Sequence, residues 1–186
     1  MLHIDSSVYI ITALLVFIVP LQWFSAAMIA ALIHEIAHII FIYIFGGKIS
    51  QITISVGRTK IYAYIPSLTA ELICALAGPV ASITTLCFAK IFPRFTLCAL
   101  IQGLFNLIPV YPLDGGRALY CFLRMCIPDK ADTISFGIST AVLFIFILFS
   151  LYGLFFLSTG PIPFIVFLLL LYGRKKTCKD TKIGIQ

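Results

Sequence analysis

The stretch WFSAAMIAALIHEIAHIIFIYIF, residues 23–45, is apolar at nearly every position, yet it carries two histidines and a glutamate close to its middle. It is long enough to cross a bilayer as a helix, which takes roughly 20 residues. His34 would then lie about 16 Å along the helix axis from either end, at about 1.5 Å per residue. Ionisable side chains at that depth cost roughly 3 kcal/mol each and usually serve a function. The segment therefore predicts both a membrane protein and the place of its functional site.

The composition of the whole chain supports the same class. Of the 186 residues, 61% are hydrophobic and 11% are charged, whereas a soluble domain carries about 25% charged residues. The apolar segments that predict membrane helices cover 8–21, 23–45, 68–91, 96–111, 134–157 and 162–173. The first, fourth and sixth are short for a full crossing, which favours tilt or irregular backbone there. We therefore expect an all-α polytopic membrane protein with about six transmembrane helices, forming a single domain over residues 1–186.

Basic residues are distributed unevenly between the two sides that six spans would create. Two of the 13, Lys90 and Arg94, fall on one side. The other eleven fall on the side that also receives both termini: Lys48, Arg58, Lys60, Arg117, Arg124, Lys130, Arg174, Lys175, Lys176, Lys179 and Lys182. Because cytoplasmic loops carry the excess of Lys and Arg, both termini are expected in the cytoplasm, with a short basic tail at 174–186. This topological pattern indicates the lipid bilayer, and not nucleic acid, as the partner of the positive charge.

The gap between the second and third segments has the pattern of two strands. In residues 52–56, Ile-Thr-Ile-Ser-Val, apolar and polar side chains alternate, which is the period of a half-buried strand. Residues 57–58, Gly-Arg, can form a turn, and residues 60–65 return with β-branched and aromatic side chains. Such runs around a turn are typical of a hairpin. We predict a small membrane-associated β-hairpin between helices 2 and 3 on the cytoplasmic side; the alternative is an ordinary amphipathic loop.

The motif His34-Glu35-Ile36-Ala37-His38 places two imidazoles four residues apart. On a helix these side chains lie on one face about one turn apart, so both can bind a single zinc ion. Glu35 projects from the helix at a neighbouring angle and can reach a water at the metal. In metalloproteases with the HExxH motif, the glutamate is the general base that acts on this water. The alternative is that the three side chains hydrogen-bond to one another and only fix helix packing.

A third metal ligand has to come from elsewhere, because catalytic zinc usually has three protein ligands and one open position. Asp5, Asp129 and Asp132 lie outside the apolar segments. Glu71 lies at the start of the third segment, where a helix N-terminus stabilises an acidic side chain. Asp114 lies where two prolines and two glycines break the chain, and irregular backbone at membrane depth is tolerated where it lines a cavity. We predict Asp114 as the third ligand; the alternative is a turn in which Asp114 caps the next helix.

Together these motifs resemble the site-2 protease family of intramembrane zinc metalloproteases. The sequence His34-Glu35-Ile36-Ala37-His38 matches the family's HExxH, and residues 106–115 match its Asn-x-x-Pro-x-x-Pro-Leu-Asp-Gly signature. Ala77-Gly78-Pro79 resembles a further recurrent element of the family. The six predicted spans, with no inserted PDZ domain, resemble the branch that includes the stage IV sporulation protein FB. Unlike many members of that branch, the chain is expected to have no C-terminal cystathionine-β-synthase-type domain.

The resemblance implies an intramembrane zinc metalloendopeptidase that cleaves a membrane-embedded or membrane-tethered protein, as in regulated intramembrane proteolysis. It implies Zn²⁺ held by His34, His38 and Asp114, with Glu35 as general base and no other cofactor. Asn106 would bind the substrate or stabilise its developing charge; it could instead satisfy backbone groups freed by a nearby proline. The implied partners are a transmembrane protein substrate, the lipid bilayer and a membrane regulatory protein, in a bacterial cell membrane.

Two other functions stay open at this point. One is a non-catalytic metal-binding membrane protein, such as a transporter, which would tolerate replacement of Glu35 by glutamine. The other is an inactive scaffold that binds transmembrane segments. An inactive relative need not retain all four of His34, Glu35, His38 and Asp114, so the intact set favours the enzyme.

Overall fold

A computed structural model of the chain describes residues 2–4, 12–13, 16–55 and 58–156. Most of these residues are helical, as the composition predicts. The helices are α1 (Leu21–Ile44), α2 (Leu68–Thr84), α3 (Pro93–Asn106), α4 (Asp114–Cys126) and α5 (Ala131–Phe156), with short 3₁₀ helices at Thr85–Phe88 and Pro128–Lys130. The strands are β1 (Leu2–Ile4), β2 (Lys48–Ser55) and β3 (Arg58–Tyr64). The chain divides into two compact units, Met1–Leu107 and Ile108–Gln186.

Three helices in the described part of the chain are long and apolar enough to cross a membrane: Leu21–Ile44, Leu68–Phe88 and Pro128–Gly153. They coincide with the second, third and fifth predicted segments. Of the first segment, residues 12–13 and 16–18 are described and helical. The sixth segment and the tail at 174–186 lie outside the described residues. The chain is thus a helical polytopic membrane protein, and the count of six spans stays a prediction.

The fourth predicted segment is helical over a shorter stretch than residues 96–111. Helix α3 begins at Pro93 and ends at Asn106, so it has 14 residues, fewer than the roughly 20 that a straight crossing takes. A proline fits the first helical turn because the nitrogen there needs no partner. The helix ends before Pro109 because proline lacks an N–H and disfavours helical backbone in the residue before it.

The end of α1 leads directly into the sheet through a glycine. Gly46 adopts a positive φ of 70°, which glycine tolerates because it has no Cβ. The Gly46 N–H donates to the Tyr43 carbonyl at 3.0 Å and the Gly47 N–H donates to the Ile42 carbonyl at 2.8 Å. This is the Schellman arrangement, which satisfies the last carbonyls of a helix. The chain therefore leaves α1 in a fixed direction and begins β2 at Lys48.

Strands β2 and β3 pair antiparallel, which confirms the predicted hairpin. Strand β2 begins earlier than the sequence pattern indicates, and the pairing is irregular between Ile49 and Gln51. A third strand, β1, pairs parallel to β2 with Leu2 opposite Ile52, giving the order β1-β2-β3. Strand β1 was not predicted, because a three-residue strand paired with a distant one leaves no local pattern in the sequence.

The core of the first unit is formed by α1, α2 and α3, each of which contacts the other two. Helix α1 buries a face that repeats about every four residues: Ala26, Ala30, His34, Ala37, His38 and Ile42. Small side chains allow the helices to approach closely. A Cβ on Gly103 of α3 would lie 2.8 Å from the Ser82 Cβ on α2. Close packing of the three helices therefore fixes the positions of the side chains between them.

In the second unit, a turn built on prolines leads into α4. The Leu113 N–H donates to the Val110 carbonyl at 2.8 Å, and Ser139 of α5 donates its hydroxyl to the Pro109 carbonyl at 3.1 Å. Gly116 packs so closely on this turn that a Cβ there would overlap the backbone of Val110. The turn is thus held from α4 and from α5, and it fixes where α4 starts.

Candidate metal centre

Helix α1 places His34 and His38 on one face, as their spacing predicts. Both are buried, with 2% and 8% of their surface exposed. Their ring centroids are 4.9 Å apart, and the two Nε2 atoms lie 3.3 Å from each other. Two ring nitrogens from different turns of one helix therefore converge on the same point.

Helix α2 holds the opposite edge of each imidazole. The Nδ1–H of His38 donates to the backbone carbonyl of Cys74 at 2.7 Å. The Nδ1 of His34 lies 2.9 Å from the Ser82 hydroxyl oxygen. Metal-binding histidines commonly bond through their second nitrogen in this way, which orients the ring and leaves the other nitrogen for the ion. The arrangement fits a pair of metal ligands that coordinate through Nε2.

Gly78 keeps the space in front of the two Nε2 atoms open. A Cβ at this position would lie 2.7 Å from Nε2 of His34 and would overlap Nε2 of His38. Any side chain at Gly78 would therefore occupy the place where an ion must sit. An open space bordered by two converging nitrogens is what a zinc site requires.

Asn106, the last residue of α3, reaches the same pair. Its amide Nδ2 lies 3.3 Å from Nε2 of His34. This contact with the imidazole differs from both roles considered for Asn106, which were substrate binding and the satisfaction of backbone groups near a proline. A role for Asn106 in substrate binding stays a prediction, and its position beside His34 is compatible with it.

Glu35 and Asp114 are placed by different helices. Glu35 follows His34 in α1 and is half-buried, so its carboxylate points about 100° around the helix from its neighbour. Asp114 is the first residue of α4, after the proline-containing turn, and it is half-buried. Glu71 lies in the first turn of α2, the setting that the sequence analysis expected for an acid stabilised by a helix N-terminus.

Among the described residues, the candidate metal ligands are His34 and His38 in the first unit and Asp114 in the second. Two imidazole nitrogens and one carboxylate oxygen are a donor set that catalytic zinc sites use, with a fourth position left for water. The buried, pre-oriented imidazoles and the space left by Gly78 fit such an ion. The residues present are therefore compatible with Zn²⁺.

Three features of the centre were not assigned a role from the sequence: the Cys74 carbonyl, the glycine at 78 and the Ser82 hydroxyl. They are four residues apart along α2 and so share one face of that helix. Small residues at this spacing in an apolar helix favour close helix packing. The spacing alone could have indicated the face of α2 that meets α1, although not the hydrogen bonds.

The chain is similar to proteins from the archaeon Methanocaldococcus jannaschii. It is 27% identical over 176 residues to zinc metalloprotease MJ0392, in a match that covers 86% of this chain and 50% of that protein. The chain thus spans about half the length of this curated relative. It also resembles the solved structure of a site-2 protease, with a TM-score of 0.65, 26% identity, and coverage of 83% of this chain and 76% of that one. No protein-family model matches the chain.

Replacement of Gly78 by alanine should block the metal centre. The new Cβ would take the space in front of both Nε2 atoms. The helix itself should not be weakened, because alanine is more favourable than glycine inside a helix by about 1 kcal/mol. We expect the zinc affinity of the purified full-length chain, measured by chelator competition, to fall at least tenfold. This is the lower end of the roughly 10–100-fold loss that follows mutation of residues around a metal site.

Gly137→Ala in α5 is the matched control, because a Cβ at that position meets nothing within 4 Å. It should leave zinc affinity unchanged. Equal affinities for the Gly78→Ala variant and the wild type would contradict the assignment of this space to the ion.

Proposed function

We propose that this chain is a member of the site-2 protease family, which its two similar proteins support, and that it is a zinc-dependent endopeptidase that cuts membrane-embedded or membrane-tethered proteins. The observation that carries the proposal is the buried pair His34 and His38, whose Nε2 atoms lie 3.3 Å apart in a helix apolar enough to cross a membrane. Burying two imidazoles at such a depth is costly. A metal site gives both side chains a function that offsets this cost.

In this proposal His34, His38 and Asp114 are the zinc ligands. The imidazoles are oriented by their bonds to α2, and Asp114 follows a turn that is held from two sides. Since three protein ligands leave one coordination position free, the set suits a catalytic role better than a structural one.

Zinc, when bound, would polarise the scissile carbonyl and lower the pKa of water at the metal. Glu35 is the general base: its carboxylate accepts a proton from the attacking water and later donates it to the nitrogen of the leaving amine. Asn106 is placed beside His34 to donate an amide hydrogen to the substrate carbonyl oxygen as charge develops there. The burial of His34 and His38 limits the water around these two proposed ligands and so strengthens electrostatic effects there.

The proposed substrate has to unwind, because a transmembrane helix hides its carbonyls in its own hydrogen bonds. An extended substrate segment could pair with the sheet, as peptides do at exposed sheet edges. Strand β3 lies at the edge of the described sheet, while β2 is paired on both sides by β1 and β3. Strand β1 is the other edge, but it has three residues whereas β3 has seven. We infer that β3 is the edge strand long enough for such pairing. A regulatory membrane partner stays a prediction.

Replacement of Glu35 by glutamine should separate metal binding from catalysis. Glutamine has nearly the same size as glutamate but cannot accept the proton, so cleavage should fall by at least ~100-fold, while zinc content stays as in the wild type. The measurement is release of fragments from candidate membrane-tethered substrates that are co-expressed with either form.

Glu71→Gln, in the first turn of α2, is the control for loss of an acidic side chain and should still cleave. The catalytic assignment fails if Glu35→Gln releases the same fragment as the wild type. A metal-binding transporter, by contrast, predicts unchanged zinc and no cleavage by either form.

Asp114→Ala tests the third ligand. Loss of the carboxylate would leave two protein ligands, so zinc affinity should fall by more than the roughly 10–100-fold that loss of an outer-shell partner costs. The control is Asp129→Ala, which removes an exposed carboxylate in the Pro128–Lys130 turn. Unchanged zinc content in the Asp114→Ala protein, measured by elemental analysis, would reject this ligand.

We further propose that both chain termini face the cytoplasm, because the basic residues are concentrated on that side. A bacterial cell membrane stays a prediction from the family resemblance. Two exposed native cysteines allow a test: Cys126 is the last residue of α4, and Cys87 lies in the 3₁₀ helix that precedes α3. A membrane-impermeant maleimide should label Cys87 in right-side-out vesicles and Cys126 in inverted ones, as read by mass spectrometry of the wild-type protein. The reverse labelling pattern would overturn the orientation.

A further inference from the structure

Three hydroxyl side chains near the end of α2 make different kinds of hydrogen bond. Thr84 and Thr85 each donate to the backbone carbonyl three residues earlier, both at 2.7 Å. Serine and threonine in helices commonly bond to nearby backbone in this way. Ser82 instead lies 2.9 Å from Nδ1 of His34, across to α1. Its hydroxyl is thus used between helices and not within its own.

The position of Ser82 is fixed by packing. Its exposed fraction is 1%. Helix α3 packs closely against it, since a Cβ on Gly103 would lie 2.8 Å from the Ser82 Cβ. A buried serine with so little room has little freedom to turn away from His34. The oxygen that meets His34 is therefore held in place by the contact of α2 with α3.

The two histidines differ in what holds their second nitrogen. The Cys74 carbonyl can only accept, so His38 must carry a hydrogen on Nδ1, and in the neutral ring its Nε2 is then an acceptor. The Ser82 hydroxyl can either donate or accept, so it permits either form of His34. Asn106 presents its amide Nδ2, a donor, to Nε2 of His34 at 3.3 Å. The 3.3 Å contact between the two Nε2 atoms, however, needs a hydrogen on one of them. The contacts without an ion therefore permit either form of His34, whereas an ion on Nε2 would leave the hydrogen of His34 only on Nδ1, directed at Ser82.

We propose that Ser82 is a positioning residue that accepts the Nδ1–H of His34 and thereby aims its Nε2 lone pair at the metal. The inference rests on the proposed zinc site. Zinc on Nε2 would draw electron density from the ring and make the Nδ1–H a stronger donor. The bond to Ser82 therefore stabilises the metal-loaded form more than the metal-free form, since hydrogen bonds strengthen as the donor gains positive charge.

The test is Ser82→Ala in the full-length chain, purified in detergent. Zinc affinity, measured by chelator competition, should fall roughly 10–100-fold, as is typical when a partner of a metal-binding histidine is removed. Cobalt loaded in place of zinc should show a shifted visible absorption spectrum, because the His34 ring is no longer held in one orientation. A serine that only fills space would change neither quantity.

Ser150→Ala in α5 is the matched control, because Ser150 is also buried and its hydroxyl makes no hydrogen bond within the described part of the chain. It should keep wild-type affinity and spectrum, and thermal unfolding of the metal-free proteins should show that both variants are folded. Wild-type affinity and spectrum in Ser82→Ala would overturn the role of Ser82 and leave the zinc site intact. Failure of the wild-type chain itself to bind zinc would overturn the proposed function.

Discussion

The requirement that two buried imidazoles be hydrogen-bonded governs the arrangement of the first unit. An imidazole inside an apolar helix is costly unless its polar atoms have partners. His34 and His38 each bond through Nδ1 to α2, at 2.9 and 2.7 Å. These bonds require α1 and α2 to lie close together. The facing positions on α2 are accordingly small, with Gly78 where the two Nε2 atoms meet.

The hydrogen bonding of the two imidazoles also connects the packing of the helices with the proposed zinc chemistry. Residues that let the helices approach also orient the rings and leave room for an ion, so structure and proposed function depend on the same atoms. Asn106 ends its helix beside the imidazoles, where the chain is broken by the proline that follows. A centre that hydrolyses peptide bonds inside a membrane needs such polar groups held in fixed positions, because water cannot reorganise around them there.

Much of the fold could be predicted from local patterns. The three helices apolar enough to cross a membrane lie where the apolar segments predict them, and the alternation in residues 52–56 correctly indicated a hairpin. Strand β1 was missed because its partner lies about fifty positions away along the chain. The length of α3 was overestimated, because apolar composition continues past Asn106 while proline geometry ends the helix.

Hydropathy and helical spacing are local properties, so the order of amino acids alone indicates that the protein enters a membrane and that His34 and His38 share one helix face. It also singled out Glu35, Asn106 and Asp114 through their motifs. The atoms that hold the imidazoles, a backbone carbonyl for one and the Ser82 hydroxyl for the other, could be identified only from the packing of the helices. These bonds join residues 36 and 48 positions apart, and a contact over that distance depends on how helices pack and not on any local pattern.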